Sequence, residues 1–311
     1  MLRRTLLAVS ASERVRQIVT TAPLTRGVVA RFVAGDTADD ALAVTRRLLD
    51  DGLLVTLDYL GEDTVDPQQA AAVTDEYVRL LARLGAAGMS GGGRAEVSVK
   101  LTAVGLDLAE HGEKTARENI ARIAAAAREA GTTVTVDMEE DTRVDATLRI
   151  CGQLRPEFPE LGCVIQSYLR RSPDDCRALA AAGSRVRLCK GAYSAAPGVA
   201  FAARAEVDRC YARCLRALFG GAGYPMIATH DPRLIRIAAA AATLAGRPAS
   251  GFEYQMLYGI RPAEQRRLAG GGARMRVYVP YGSDWYGYLV RRLAERPANL
   301  AFFLRSLATR R

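Results

Sequence analysis

The chain has 311 residues, of which 49% are hydrophobic and 25% charged, so it suits a soluble enzyme with an ample core, built as one large α/β domain or two small ones. Its net charge of +9 comes from arginines scattered over every segment, with no basic block interleaved with aromatics. That sets nucleic-acid binding aside and leaves a loose, peripheral attraction to an anionic membrane surface. Six cysteines without Cys-x-x-Cys spacing, and two distant histidines, give no zinc cluster and read as reduced thiols in a cytoplasmic protein.

From the start, Met1 to Val9 places basic residues before a short apolar run, about half a signal-peptide core, and reads as a surface helix. No segment approaches the roughly 20 apolar residues needed to span a bilayer. The first 52 residues are expected to form a helical arm. Within it, Asp36 is a candidate cap for a run from Thr37 to Leu49 that ends before Gly52.

Strand and helix signals then alternate through residues 53–311. The expected strands are Leu53–Leu60, Glu96–Ala103, Thr133–Met138, Cys163–Leu169, Arg185–Lys190, Met226–His230, Phe252–Leu257 and Met275–Val279. Several are continuous apolar or β-branched runs, as strands covered by helices should be. Between them, Asp66-Pro67, Ser172-Pro173 and Asp231-Pro232 pair a capping side chain with proline at a helix start. Gly85, Gly131, Gly183 and Gly246 stand where helices should end. Eight such units predict an α/β fold, a (β/α)8 TIM-type barrel, with a doubly wound open sheet as the alternative. Two glycine triplets, 91–93 and 270–272, resemble phosphate loops but precede strands, so a barrel would put them at the end away from chemistry.

Only three of the 43 basic residues are lysines. Arginine reads as the generic solvating base, so each lysine needs a separate explanation. Lys100 and Lys190 close two of the strands, and His230 closes another. The carboxyl ends also carry Asp58, Asp137, Glu139, Glu140, Gln166, Tyr168, Arg187, Tyr193, Thr229, Asp231, Gln255 and Tyr278. Acids and bases converging on one rim suggest a charge-paired pocket. Beyond the last strand, Trp285 to Glu295 reads as a helix capping the barrel mouth, with Tyr288, Arg291, Arg292 and Glu295 on one stripe. Paired guanidiniums there suit a carboxylate clamp. No nucleophile elbow and no dinucleotide fingerprint occurs. Read alone, the residues point to a carboxylate-bearing small molecule and a phosphate-bearing cofactor.

The segments Val97–Ala103, Val136–Glu140, Val164–Leu169, Arg187–Tyr193, Ala228–His230, Phe252–Gly259, Arg276–Gly282 and Tyr288–Arg292 resemble, in order, the strand motifs of the proline dehydrogenase family, in its short monofunctional form. The resemblance implies a flavin-containing barrel that oxidises L-proline to 1-pyrroline-5-carboxylate, the first step of proline catabolism to glutamate. FAD would be the cofactor and a membrane quinone the electron acceptor, with a 1-pyrroline-5-carboxylate dehydrogenase as a functional neighbour. It implies that Lys100, Arg291 and Arg292 bind the substrate carboxylate and that Tyr193, Leu257, Tyr278 and Tyr288 line the ring. Asp137 would hold the site's cations and Arg187 would lie near the flavin's reactive nitrogen. Met138, Gln166, Lys190, Gly191, Ala192, Thr229 and His230 would hold the FAD. Rival readings are a folate-reductase type of flavin barrel, a Schiff-base aldolase using Lys100 or Lys190, and a barrel that only binds anions.

Overall fold

Each expected strand forms, and all eight run parallel. They are β1 (Leu54–Tyr59), β2 (Ala95–Val99), β3 (Val134–Val136), β4 (Gly162–Gln166), β5 (Arg185–Cys189), β6 (Tyr224–Ala228), β7 (Glu253–Leu257) and β8 (Met275–Tyr281). Strands pair in sequence order, and β8 pairs back to β1 with Thr56 opposite Tyr278, so the sheet is a closed barrel. The open-sheet alternative is thereby excluded. The computed structural model describes Gly27, residues 29–193 and residues 195–289.

Helices α1 (Ala38–Asp50), α2 (Pro67–Ala86), α3 (Gly112–Glu129), α4 (Val144–Leu154), α5 (Ser172–Ala181), α6 (Arg204–Gly220), α7 (Pro232–Leu244) and α8 (Pro262–Gly270) surround it. Their inner faces follow helical spacing: α2 buries Val73, Tyr77, Leu80, Leu81 and Leu84. Full burial of one such side chain stabilises by roughly 1.5–3 kcal/mol. Tyr77 also spans two strands, donating its hydroxyl to Ser98 O at 2.8 Å and accepting from Tyr59 N at 3.1 Å. Helix α1 packs across β1 and β8. A second apolar cluster joins Phe32, Val33, Leu60, Ile260, Tyr286, Tyr288 and Leu289.

The start and stop signals hold with two corrections. Asp66 and Asp231 cap α2 and α7, accepting from Gln68 N and Arg233 N. Thr37, not Asp36, caps α1, because it forms a capping box with Asp40 three residues on. Ser172 lies inside α5, and its hydroxyl donates to Gln166 O at 2.6 Å instead of capping. Strands are shorter than expected at β2, β3 and β4, where the chain turns out of the barrel as soon as it reaches the rim.

The larger correction concerns arginine. Arg185 and Arg276 are not solvating side chains: with Arg187 they lie inside the barrel, and Arg276 is only 1% exposed. Side chains alternate in and out along a strand, so Glu96, Arg185, Glu253 and Arg276 form one inward tier. Glu253 Oε1 accepts from Arg276 Nε at 2.6 Å and Glu96 Oε2 accepts from Arg185 Nη2 at 2.9 Å. Arg276 further donates to the carbonyls of Val55 and Gly93, at 2.8 and 3.0 Å, tying β8 to β1 and to the turn before β2. Burial would raise the Glu96 carboxyl, but Arg276, Arg185 and Arg187 outweigh it and hold it down at about 2.

Removing one member leaves an uncompensated buried charge, at a cost of about 3–5 kcal/mol. Arg276→Ala should therefore melt far below the parent in a thermal unfolding scan. A midpoint unchanged by the substitution would show that this tier is not structural.

Candidate active site

One step further along the same strands, the inward positions are Asp58 on β1, Ser98 on β2, Arg187 on β5, Gln255 on β7 and Tyr278 on β8. Asp137, the residue after β3, joins them. Asp137 Oδ1 accepts from Arg187 Nη1 at 2.6 Å and from Ser98 Oγ at 2.8 Å, and Oδ2 accepts from the Tyr278 hydroxyl at 2.7 Å. The Arg187 guanidinium carbon lies 5.2 Å from the centre of the Tyr278 ring. Burial first, then the Asp137 charge, raises the Tyr278 phenol well above its ordinary value, so it remains a neutral donor. Arg187 is 4% exposed, and its Nε and Nη2 are buried without a hydrogen-bond partner. Nature rarely buries donors that way without an acceptor arriving from elsewhere.

Lys100 crowns the rim. Its Nζ donates to both oxygens of Asp58 at 2.9 Å. Burial alone would lower its proton affinity, but Asp58, Asp137, Glu62 and Tyr193 together raise it above the usual ammonium range. Lys100 is therefore a fixed cation and not an amine nucleophile. A pocket of about 60 Å³ opens beside it, lined by Leu60, Gly61, Glu62, Asp284, Gly287 and Tyr288. Residues 285–289 are helical, with Tyr288 and Leu289 buried. Arg291 and Arg292, the expected clamp, lie outside the described residues.

A second group gathers at the mouths of β4 to β7. Gln166 donates to Glu139 O at 2.7 Å, and the Met138 side chain is buried. Gly191 has φ +94°, and a Cβ there would lie 2.2 Å from the Tyr168 ring and 2.9 Å from Gln166 Oε1, so only glycine fits. Ala192 and Tyr193 follow it, half-buried. Lys190 bridges Asp208 and Asp231, at 2.6 and 3.2 Å. Thr229 Oγ1 accepts from Asp231 N, and His230 Nε2 accepts from Leu257 N at 3.0 Å, which puts its ring proton on Nδ1. The structure thus brings together every expected site residue it describes, in two adjoining groups on one rim.

A larger cavity, about 610 Å³, opens at the opposite end of the barrel, where Gly92, Gly93 and Arg247 line it. Its arginines are largely committed: Arg247 donates to the carbonyls of Phe219, Gly221 and Gly223, and Arg276 to Glu253. The glycine triplets do lie at this end, as expected from their place before strands.

The fold and site together define a (β/α)8 enzyme whose polar residues converge on the carboxyl rim. A family model described as proline dehydrogenase matches residues 41–305. The chain is 40% identical over 277 residues to proline dehydrogenase 1 of Bacillus subtilis, and 39% identical over 279 residues to proline dehydrogenase of Deinococcus radiodurans, with 89% of each chain covered in both cases. It superposes with a TM-score of 0.81 and 28% identity on proline utilization A from Bdellovibrio bacteriovorus inactivated by N-propargylglycine, covering 87% of this chain and 33% of that longer one. The chain belongs to the proline dehydrogenase family.

Sequence reasoning did not single out Ser98, Glu96, Asp208 or the pairing of Asp58 with Lys100. Serine in a strand carries no signal of its own, although Ser98 stands in the very segment that ends in Lys100. Glu139 was expected only as a rim acid. It is buried, accepting from Thr102 Oγ1 at 2.6 Å and Thr102 N at 3.1 Å, and burial, reinforced by Glu62, lifts its carboxyl from 4.5 to about 7. The folded state therefore binds the extra proton between those values, and the stability it contributes is lost as pH rises from about 4.5 to about 7. Glu139→Gln abolishes the ionisation; its amide oxygen can still accept from Thr102 N, while its amide nitrogen donates to Thr102 Oγ1 with that bond reversed. At pH 8 it should melt about 2 °C or more above the parent, and the gap should close near pH 5. A variant that melts lower at both pH values would refute this.

Proposed function

We propose that the chain oxidises L-proline to 1-pyrroline-5-carboxylate, with FAD as the bound cofactor and a quinone as the final electron acceptor. The observation that carries this reading is the Arg187–Asp137–Tyr278 constellation beneath Lys100, at the rim of a barrel 40% identical to a proline dehydrogenase. The buried Arg187 Nε, which makes no hydrogen bond, fits a cofactor edge rich in acceptors, and Gly191 with Lys190 fits a phosphate-bearing chain held close to backbone. The flavin, when bound, supplies the two-electron acceptor for the hydride leaving the carbon next to the amine.

The remaining work falls to the protein. Lys100, with Arg291 and Arg292, holds the substrate carboxylate, while Tyr193, Leu257, Tyr278 and Tyr288 wall the ring and exclude water. Asp137 fixes Arg187 and Tyr278 against each other. Gln166, Gly191, Ala192, Thr229 and His230 hold the cofactor beside Met138, and Lys190 exchanges a carboxylate partner for phosphate. The fixed charge on Lys100 speaks against a Schiff-base mechanism there. No helix among the described residues is long and apolar enough to cross a membrane. The net positive charge supports peripheral contact from the cytoplasmic side, where a quinone is reached at the surface. The product would pass to a 1-pyrroline-5-carboxylate dehydrogenase, the functional neighbour that the resemblance implies.

The test is an absorption spectrum of the purified protein, before and after anaerobic L-proline. Bleaching of the yellow oxidised-flavin band confirms cofactor and substrate together. A band that persists removes proline as the substrate, and no band after reconstitution with FAD removes the flavin. Arg291→Ala or Arg292→Ala should each raise the proline KM by about tenfold or more, the loss of a charge-assisted hydrogen bond, with flavin content unchanged. An unaltered KM would remove the clamp.

A further inference from the structure

Ser98 is fully buried in the middle of the constellation, yet it reaches neither the rim nor the pocket beside Lys100. Its Oγ lies 2.9 Å from Arg187 Nη1, 2.8 Å from Asp137 Oδ1 and 3.1 Å from Thr135 O. The directions of these bonds follow from proton supply. Arg187 has only donors, so Nη1 donates to Oγ. Serine has one proton to give, and the shorter contact to a charged acceptor wins it for Asp137. Because Nη1 also donates directly to Asp137 at 2.6 Å, Arg187, Ser98 and Asp137 close a triangle.

That triangle has a geometric consequence. A guanidinium held by one acceptor swings about that contact. Here Nη1 is held between two acceptors, Ser98 Oγ on β2 and Asp137 Oδ1 at the end of β3, which restrains the plane of the whole group. The donors left over, Nε and Nη2, lie in that same plane, buried and without hydrogen bonds. Ser98 is itself well anchored, since its carbonyl accepts from the Tyr77 hydroxyl at 2.8 Å.

We propose that Ser98 is a positioning residue for the redox step: its hydroxyl sets the plane in which Arg187 presents Nε and Nη2, its two donors without a hydrogen bond. It touches neither substrate nor cofactor. This rests on the reading that a flavin lies against Arg187.

The experiment compares Ser98→Ala, Ser98→Cys and Ser98→Thr with the parent, each loaded with FAD. Three quantities are read: the flavin midpoint potential, the rate of flavin reduction by L-proline, and the apparent proline affinity. Ser98→Ala should slow reduction about tenfold, the loss of one hydrogen bond to a charged group, and leave proline affinity within about twofold. Its midpoint potential should move to more negative values, because Arg187 stabilises the reduced ring less well. Ser98→Cys, similar in shape but a feeble donor, should behave as Ser98→Ala, and Ser98→Thr should recover towards the parent. Unchanged potential in both Ala and Cys variants would overturn the proposal, even if the rate fell, because loosened packing alone produces that. If proline fails to reduce the parent, the functional reading falls and the role of Ser98 falls with it. A parent that is reduced alongside indistinguishable variants removes Ser98 alone.

Discussion

The whole molecule is organised around an ion ladder along the barrel axis. Four carboxylates (Asp58, Glu96, Asp137 and Glu253) face four cations (Lys100, Arg185, Arg187 and Arg276) inside a closed sheet. Burying a charge costs several kcal/mol, and an aliphatic barrel interior would avoid that cost entirely. The arrangement is tolerable only because each charge meets its opposite across a strand boundary. Closure of the sheet and neutrality of the axis are therefore one condition. If the register of one strand slipped by a residue, its charge would turn outward into the helical layer and strand its partner.

The ladder is not uniform. Its lower tier is saturated: Arg276 uses Nε, Nη1 and Nη2 on Glu253 and on backbone carbonyls, and Glu96 takes up Arg185. In the larger cavity at that end, Arg247 and Arg276 are committed to carbonyls and to Glu253, while Arg274 keeps a buried Nε without a hydrogen bond. The upper tier is saturated on one side only. Asp137 is surrounded by three donors, whereas Arg187 keeps Nε and Nη2 without hydrogen bonds, Nη2 lying 3.8 Å from Glu96 Oε1. Chemistry belongs where electrostatic preorganisation leaves such a surplus.

The barrel was legible because its signals are local. Strands of Val, Ile and Leu, Asp-Pro caps and glycines past helix ends announce themselves within a few residues, and Gly131, Gly183 and Gly246 do have positive φ. The rarity of lysine also led correctly to Lys100 as a rim residue. The same reasoning misjudged arginine, because a buried guanidinium and a solvated one have the same letter. Only the partner decides, and the partner lies far away in sequence: 89 residues separate Arg185 from Glu96, and the same number separates Arg187 from Ser98. Ser98 was invisible for that reason. Its importance exists only once β2, β3 and β5 have been brought into register.

The ladder also explains why the site needs more cations than one lysine. Lys100 carries three N–H bonds, and two contacts go to the oxygens of Asp58. One direction remains for a substrate carboxylate, which has two oxygens and several lone pairs to satisfy. Nor can Lys100 be released for the task, since Asp58, 1% exposed, would then be a buried carboxylate with no counter-charge. A carboxylate held at this rim would thus need donors beyond Lys100. Arg291 and Arg292 follow directly from the helical residues 285–289, whose Tyr288 already lines the pocket beside Lys100. The barrel supplies a rigid, neutral base with one cation at its crown, beside a pocket that Tyr288 lines.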